Sequence, residues 1–229
     1  MITIYPYEQL GHANHGWLNA RHHFSFASYR NPKRLSFGAL RVINDDIIQA
    51  GSGFETHPHK DMEIITYVRR GAITHHDSQG NTGRTEAGDV QVMSAGTGIF
   101  HSEHNLENED TRLYQIWIEP NAMGVKPRWQ AHQFPKLATQ NGLQLLVSGD
   151  GKAPLFIHQN ARIYVGKLTA GTTITHPLQQ QAYLLVSEGE ISLNQQPLKQ
   201  GDGAEVTGLK EITLHATTHS DILVIEVPA

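Results

Sequence analysis

The sequence holds 229 residues, with 18 lysines and arginines against 22 acidic residues, 15 histidines and no cysteine. That length suits one large β domain or two small ones, and a formal charge of −4 without a basic run leaves no footprint for nucleic acid or an anionic membrane surface. Without cysteine, disulfides, thiolate metal sites and cysteine nucleophiles are excluded, so any metal ligands come from His, Asp and Glu.

The opening M-I-T-I-Y-P-Y-E-Q-L-G-H has neither the basic region nor the apolar core of a signal peptide, and no apolar run of membrane-spanning length occurs. A soluble cytoplasmic protein with no membrane or nucleic-acid partner is expected. Up to residue 30, G-H-A-N-H-G-W-L-N-A-R-H-H-F-S-F-A-S-Y shows no sustained periodicity and predicts irregular chain braced against a barrel. Residues 35–48 give a strand, a turn at Asn44-Asp45-Asp46 and the start of another strand.

Then come G-S-G-F-E-T-H-P-H (51–59) and G-D-V-Q-V-M-S-A-G-T-G-I-F-H-S-E-H-N (88–105). His57 and His59 stand two apart, as do His101 and Glu103, and in a strand such pairs share a face at about 6.6 Å. Chance alone gives about one H-x-H in a chain this rich in histidine, so the framing glycines carry the weight. Two such strands facing each other inside a barrel would present three imidazoles and a carboxylate, a donor set suited to a divalent metal.

Between the two motifs, residues 63–68 predict a strand, Arg69-Arg70-Gly71 a turn, A-I-T-H-H-D a strand and 78–83 a loop. His75 and His76 are adjacent and face opposite ways, which argues against a shared metal; they are read as surface or hydrogen-bonded residues. Residues 111–119 alternate, with Leu113, Gln115, Trp117 and Glu119 on one face and the more apolar Arg112, Tyr114, Ile116 and Ile118, assigned to packing, on the other. Residues 120–142, with Pro120, Pro127 and Pro135, read as a linker. Beyond it, short strands recur at about ten-residue spacing, as in a sandwich or barrel.

The segment G-x5-H-x-H-x3-E-x7-G (Gly51, His57, His59, Glu63, Gly71), with Gly88, Ser94, Gly96, His101 and Asn105 after it, resembles the paired motifs of the cupin superfamily. More narrowly, T-H-P-H-K-D-M-E-I-I-T-Y, H-x-D-S-x-G-N, S-A-G-T-G-I-x-H-S-E and H-H-F-S-F-A-S-Y resemble the pirin family, above all its bacterial members described as quercetin 2,3-dioxygenases. The match is dense over the first two-thirds and loose beyond.

The resemblance implies an all-β bicupin with few short helices, a metal-binding domain at 1–130 and a cupin-like domain without metal ligands at 131–229. In the second half His176-Pro177-Leu178 stands where His57-Pro58-His59 stands in the first, and Leu178 binds no metal. Two acids compete for the fourth ligand. Glu63 needs a bend near Lys60-Asp61-Met62, whereas Glu103 already shares a face with His101, and the resemblance nominates His57, His59, His101 and Glu103. Glu63 would then orient a ligand imidazole from behind.

One divalent ion is implied, iron first, with zinc, manganese, nickel, cobalt or copper as alternatives. The implied activity is opening of a flavonol's heterocyclic ring by O2, with Glu103 taking the 3-hydroxyl proton and carbon monoxide released, in a monomer. Phe24, Phe26, Met93 and Phe100 are the candidate apolar walls. The alternative is a metal-binding regulatory protein acting through protein partners, as eukaryotic pirins are described.

Overall fold

The computed structural model describes residues 1–139 and 142–229; Gln140 and Asn141 of the expected linker lie outside the described residues. It is built of strands, with a single short 3-10 turn at Tyr7–Gln9 among the described residues. The chain divides into two compact units.

The unit formed by residues 11–135 and 154–159 contains a seven-stranded and a four-stranded sheet. The larger runs in the order Arg128–His132, Val90–Ser94, Glu63–Arg70, Thr111–Ile118, Leu40–Ile48, Leu18–His22 and Gly11–Asn14. The smaller runs Gly53–His59, Ile99–His104, Ala72–Asp77 and Thr82–Glu86. The two sheets face each other, because Glu103 of the smaller one accepts hydrogen bonds from Gln91 and Gln115 of the larger.

Alternation sets what lies between them. One inward row across the large sheet is polar and runs His22, Asn44, Gln115, Thr66, Gln91 from strand to strand. The row on one side is Ala20, Asp46, Leu113 and Val68; that on the other is Val42, Trp117, Ile64 and Met93. Leu18, Ala20, Ile48, Val68, Ile73 and Leu113 form one apolar cluster, and Ile64, Met93, Ala95 and Ile99 another. Each such aliphatic side chain contributes about 1.5–3 kcal/mol by leaving water. A polar belt between apolar layers is therefore the frame of the site.

Three expectations change in this unit. Residues 11–22 are not irregular: Gly11–Asn14 and Leu18–His22 pair as a hairpin, its turn closed by the Gly16 N–H donating to Asn14 Oδ1 at 2.8 Å. Small Ala20 and polar His22 occupy inward positions there, which hid the period. No turn interrupts Asn44-Asp45-Asp46, which sit mid-strand in Leu40–Ile48 with Asp45 paired to Arg69. Within the expected linker, Arg128–His132 forms an edge strand on Val90–Ser94.

The motif asparagine has a structural task at the foot of the ligand strands. Asn105 Nδ2 donates to the carbonyls of Ile48 and Glu109, both at 2.9 Å, and its Oδ1 accepts from the Glu107 N–H at 3.0 Å. Asn105→Ala strands these buried groups and is expected to lower stability by about 1–3 kcal/mol, measured by denaturant unfolding.

The other unit comprises residues 1–10, 136–153 and 160–229. Its main sheet runs Ile2–Tyr5, Gly203–Val206, Gln181–Glu188, Ser220–Val227, Arg162–Leu168, Gln144–Ser148. A four-stranded sheet runs Thr173–Pro177, Glu211–Ala216, Glu190–Leu193, Gln196–Lys199, and the core includes Leu184, Val186, Leu193, Leu214, Ile222 and Val224. The first ten residues belong here rather than with the domain expected at 1–130. Ile2–Tyr5 pairs with Gly203–Val206, and Ile2 and Ile4 pack on this core. Residues 154–159 belong to the other unit, likewise away from the boundary read in the sequence.

Candidate metal centre

Gly53–His59 and Ile99–His104 are hydrogen-bonded neighbours in one sheet rather than opposite walls, and His57 lies directly across from His101. The strands approach closely because Gly53 has no side chain: a Cβ there would stand 2.3 Å from the Glu103 carbonyl oxygen. An irregularity between His101 and Glu103 shifts the register beyond that pair.

The ligand nitrogens of His57, His59 and His101 all lie within 4.8 Å of one another. His57 Nε2 and His101 Nε2 are 3.1 Å apart. Two bonds of about 2.1 Å at a right angle span roughly 3.0 Å, so the spacing fits two ligands of one ion. The Nδ1 of His57 lies 2.7 Å from the Glu55 carbonyl, which only accepts, so Nδ1 carries the hydrogen and Nε2 keeps its lone pair.

Burial, reinforced by the neighbouring imidazoles, pushes His59 down to about 4 and His101 down to about 3. Both are neutral donors at neutral pH. The donor set therefore fits a divalent metal.

Behind His101 stands His75, which sequence reasoning placed among surface or hydrogen-bonded residues; it is hydrogen-bonded but wholly buried. Its Nε2 donates to Asp77 Oδ2 at 2.8 Å, which leaves Nδ1 as an acceptor 3.5 Å from His101 Nδ1. That arrangement puts the His101 hydrogen on Nδ1 and its lone pair on Nε2. Burial pushes the Asp77 carboxyl up, but hydrogen bonds from His75, Asn81 and Gln79 outweigh it and hold the group below its ordinary value. Trp129 stacks on His75 with ring centroids 4.9 Å apart. His75→Phe is expected to weaken metal binding about 10- to 100-fold with the fold retained, as measured by chelator competition.

Glu103 is held from three sides. Gln91 Nε2 donates to Oε1 at 2.6 Å, Thr66 Oγ1 to the same oxygen at 3.2 Å, and Gln115 Nε2 to Oε2 at 2.7 Å. Glu103 shares a second candidate ligand set with His75 and His101, and is outside the set of three imidazoles.

Glu63 does not orient a ligand imidazole. The chain does turn at Asp61, at φ 46, but Glu63 then enters the larger sheet, where it accepts from Ser94 Oγ at 2.8 Å and from the His158 N–H. Burial pushes its carboxyl up to about 7. Between pH 4.5 and about 7 the unfolded chain has released this proton and the folded protein has kept it, so its contribution is complete below 4.5 and lost as pH rises through 7. Glu63→Gln is expected to gain stability relative to the parent by an amount that grows from about 1 kcal/mol at pH 5 to about 3 kcal/mol at pH 8, in paired unfolding curves of the metal-free protein.

The imidazoles and Glu103 open onto a cavity of about 1010 Å³. Its aromatic walls are Trp17, Phe26, Phe54 and Trp117, with Trp117 edge-on to both His59 and Phe26. Of the expected wall residues only Phe26 lines it: Phe24 is buried under Arg34, Met93 packs in the core, and Phe100 is exposed. His22 lines the cavity, while His23 is buried elsewhere and held down to about 3 by burial and the nearby Arg34. Sequence reasoning missed Thr66, Gln91 and Gln115, whose signal was an amide or hydroxyl set among apolar neighbours on a strand. The H-x-D of His75 and Asp77, read in the sequence only for its resemblance, puts both on one face and was the signal for their pairing.

Known proteins resemble this chain along its whole length. Residues 4–118 match the Pirin family model, and residues 145–227 match the model described as quercetinase C-terminal cupin domain. A quercetin 2,3-dioxygenase of Escherichia coli K12 is 42% identical over 232 residues, covering 100% of this chain and 99% of its own. A pirin-like protein of Caulobacter vibrioides is 48% identical, covering 99% of each. The crystal structure of bacterial pirin YhhW from Escherichia coli in complex with nickel(II) superposes with a TM-score of 0.93 at 41% identity, over 100% of this chain and 99% of that one. The all-β architecture is thus that of a bicupin, and the chain belongs to the pirin family.

Proposed function

We propose that the protein is a metal-dependent dioxygenase that opens the heterocyclic ring of flavonols such as quercetin. His57, His59 and His101 would hold one divalent ion, with Glu103 as the fourth ligand and proton acceptor. Iron is the first ion to test, ahead of zinc, manganese, nickel, cobalt and copper, all of which suit this donor set. The ion, when bound, supplies Lewis acidity and an open coordination position.

The remaining work falls to the chain's own side chains. Trp17, Phe26, Phe54 and Trp117 offer flat apolar contacts to a planar polycyclic ligand and keep water from it. Gln91, Thr66 and Gln115 fix the Glu103 carboxylate so that it can take the proton of the flavonol 3-hydroxyl. Both atoms of O2 end in the ring-opened ester, at the former C2 and C4, while C3 leaves as carbon monoxide.

The observation that carries this reading is the cavity. A regulatory metal protein has no need of a large aromatic-walled chamber at its ion, and an oxygenase for a three-ring substrate does. Oxygen uptake and carbon monoxide release with quercetin, after loading with each ion in turn, test it. Stoichiometric consumption and release with at least one ion is expected; silence with every ion would return the regulatory alternative.

A further inference from the structure

Asp46 has no place in the chemistry above. It stands in the inward row of Ala20, Leu113 and Val68, the one acid in an otherwise apolar layer, and it lines the cavity. It is 2% exposed, and its Oδ1 is buried without a hydrogen-bond partner among the described residues. The polar row beside it is satisfied differently: His22 bonds Asn44 at 2.7 Å, and Gln115, Thr66 and Gln91 serve Glu103.

An acid set in an apolar wall destabilises the ligand-free protein, because the desolvation of its Oδ1 is not offset by a hydrogen bond. Burial, with Asp45 and Glu103 adding repulsion and Arg69 opposing them only in part, pushes its carboxyl well above the ordinary range. Such a group is expected where a ligand supplies the missing partner. In the same cavity wall, Trp17 and Phe54 meet edge to face with centroids 5.1 Å apart, both packed against the apolar cluster that holds Ala20, Leu113 and Val68, so the layer is shaped for an aromatic ring.

We propose that Asp46 is the polar anchor of a second ligand subsite, one that takes the hydroxylated aromatic ring of a substrate whose other end lies at the imidazoles. The inference rests on the reading of the cavity as a substrate chamber. A hydroxyl both donates and accepts, so it meets the carboxyl whichever oxygen holds the proton. A half-turn about the terminal torsion presents either oxygen at little cost. A ligand lacking that hydroxyl leaves the acid unpartnered and is disfavoured, which makes Asp46 a determinant of specificity.

The test compares quercetin with 3-hydroxyflavone, which keeps only the ring-opening hydroxyl, by quenching of tryptophan fluorescence in protein loaded with nickel(II). The parent is expected to bind quercetin at least about tenfold more tightly than 3-hydroxyflavone. Asp46→Leu should abolish that preference by weakening quercetin alone, while raising the melting temperature of the ligand-free protein. Asp46→Asn, which keeps a donor and an acceptor, should retain most of it. An unchanged preference in Asp46→Leu, or a lowered melting temperature marking a structural role, would overturn the proposal. The dioxygenase reading fails separately, if quercetin binds with this preference and is not consumed.

Discussion

Replacing His101 with alanine is expected to remove stoichiometric metal binding and all metal-dependent turnover while leaving the β framework folded. His101 is the hub of the site: its Nε2 meets that of His57 at 3.1 Å and its Nδ1 faces His75 at 3.5 Å. Binding energies of about 10–16 kcal/mol for tightly held zinc, shared over four ligands, leave about 2.5–4 kcal/mol for each, or roughly a hundred- to a thousandfold in affinity. The buried imidazole is neutral and bonds only the imidazoles of His57 and His75 among the described residues, so its loss costs the fold little beyond a cavity. Metal content by elemental analysis and circular dichroism of the same preparation check both halves. Full occupancy in His101→Ala would place the ion elsewhere.

Glu103→Gln is the second large effect expected. The amide keeps the size of the carboxyl but cannot take a proton, and one of the three donors from Gln91, Thr66 and Gln115 must now face an NH2 group. At saturating metal, kcat on quercetin should fall about 10²- to 10⁴-fold, the range of a lost general base, with a smaller change in KM. Steady-state oxygen uptake separates this from metal loss, provided the ion is titrated to saturation in each variant. A kcat within a few-fold of the parent would remove Glu103 from the chemistry.

The all-β architecture and the shared face of His57 and His59 were legible because both rest on local rules, glycine-bounded strands and a two-residue spacing, whereas the place of His101 beside them followed from the resemblance to the paired cupin motifs. What escaped was set by register between distant strands. The row from His22 through Asn44, Gln115 and Thr66 to Gln91 exists only once five strands are aligned, and no local pattern reports it. Asn44-Asp45-Asp46 imitated a turn because two of its polar residues are matched by tertiary partners, Asn44 by His22 and Asp45 by Arg69. The assignment of Ile2–Tyr5 to the C-terminal unit depended likewise on a partner some two hundred positions away, Gly203–Val206.

The most direct test of the centre is anomalous diffraction from crystals loaded with a single divalent ion, recorded at its absorption edge. One peak is predicted, about 2.0–2.2 Å from an imidazole nitrogen of each of His57, His59 and His101, with a Glu103 oxygen completing the set. A peak against Glu63 and Ser94, one held by His75 in place of His57 and His59, or none at full loading would contradict it.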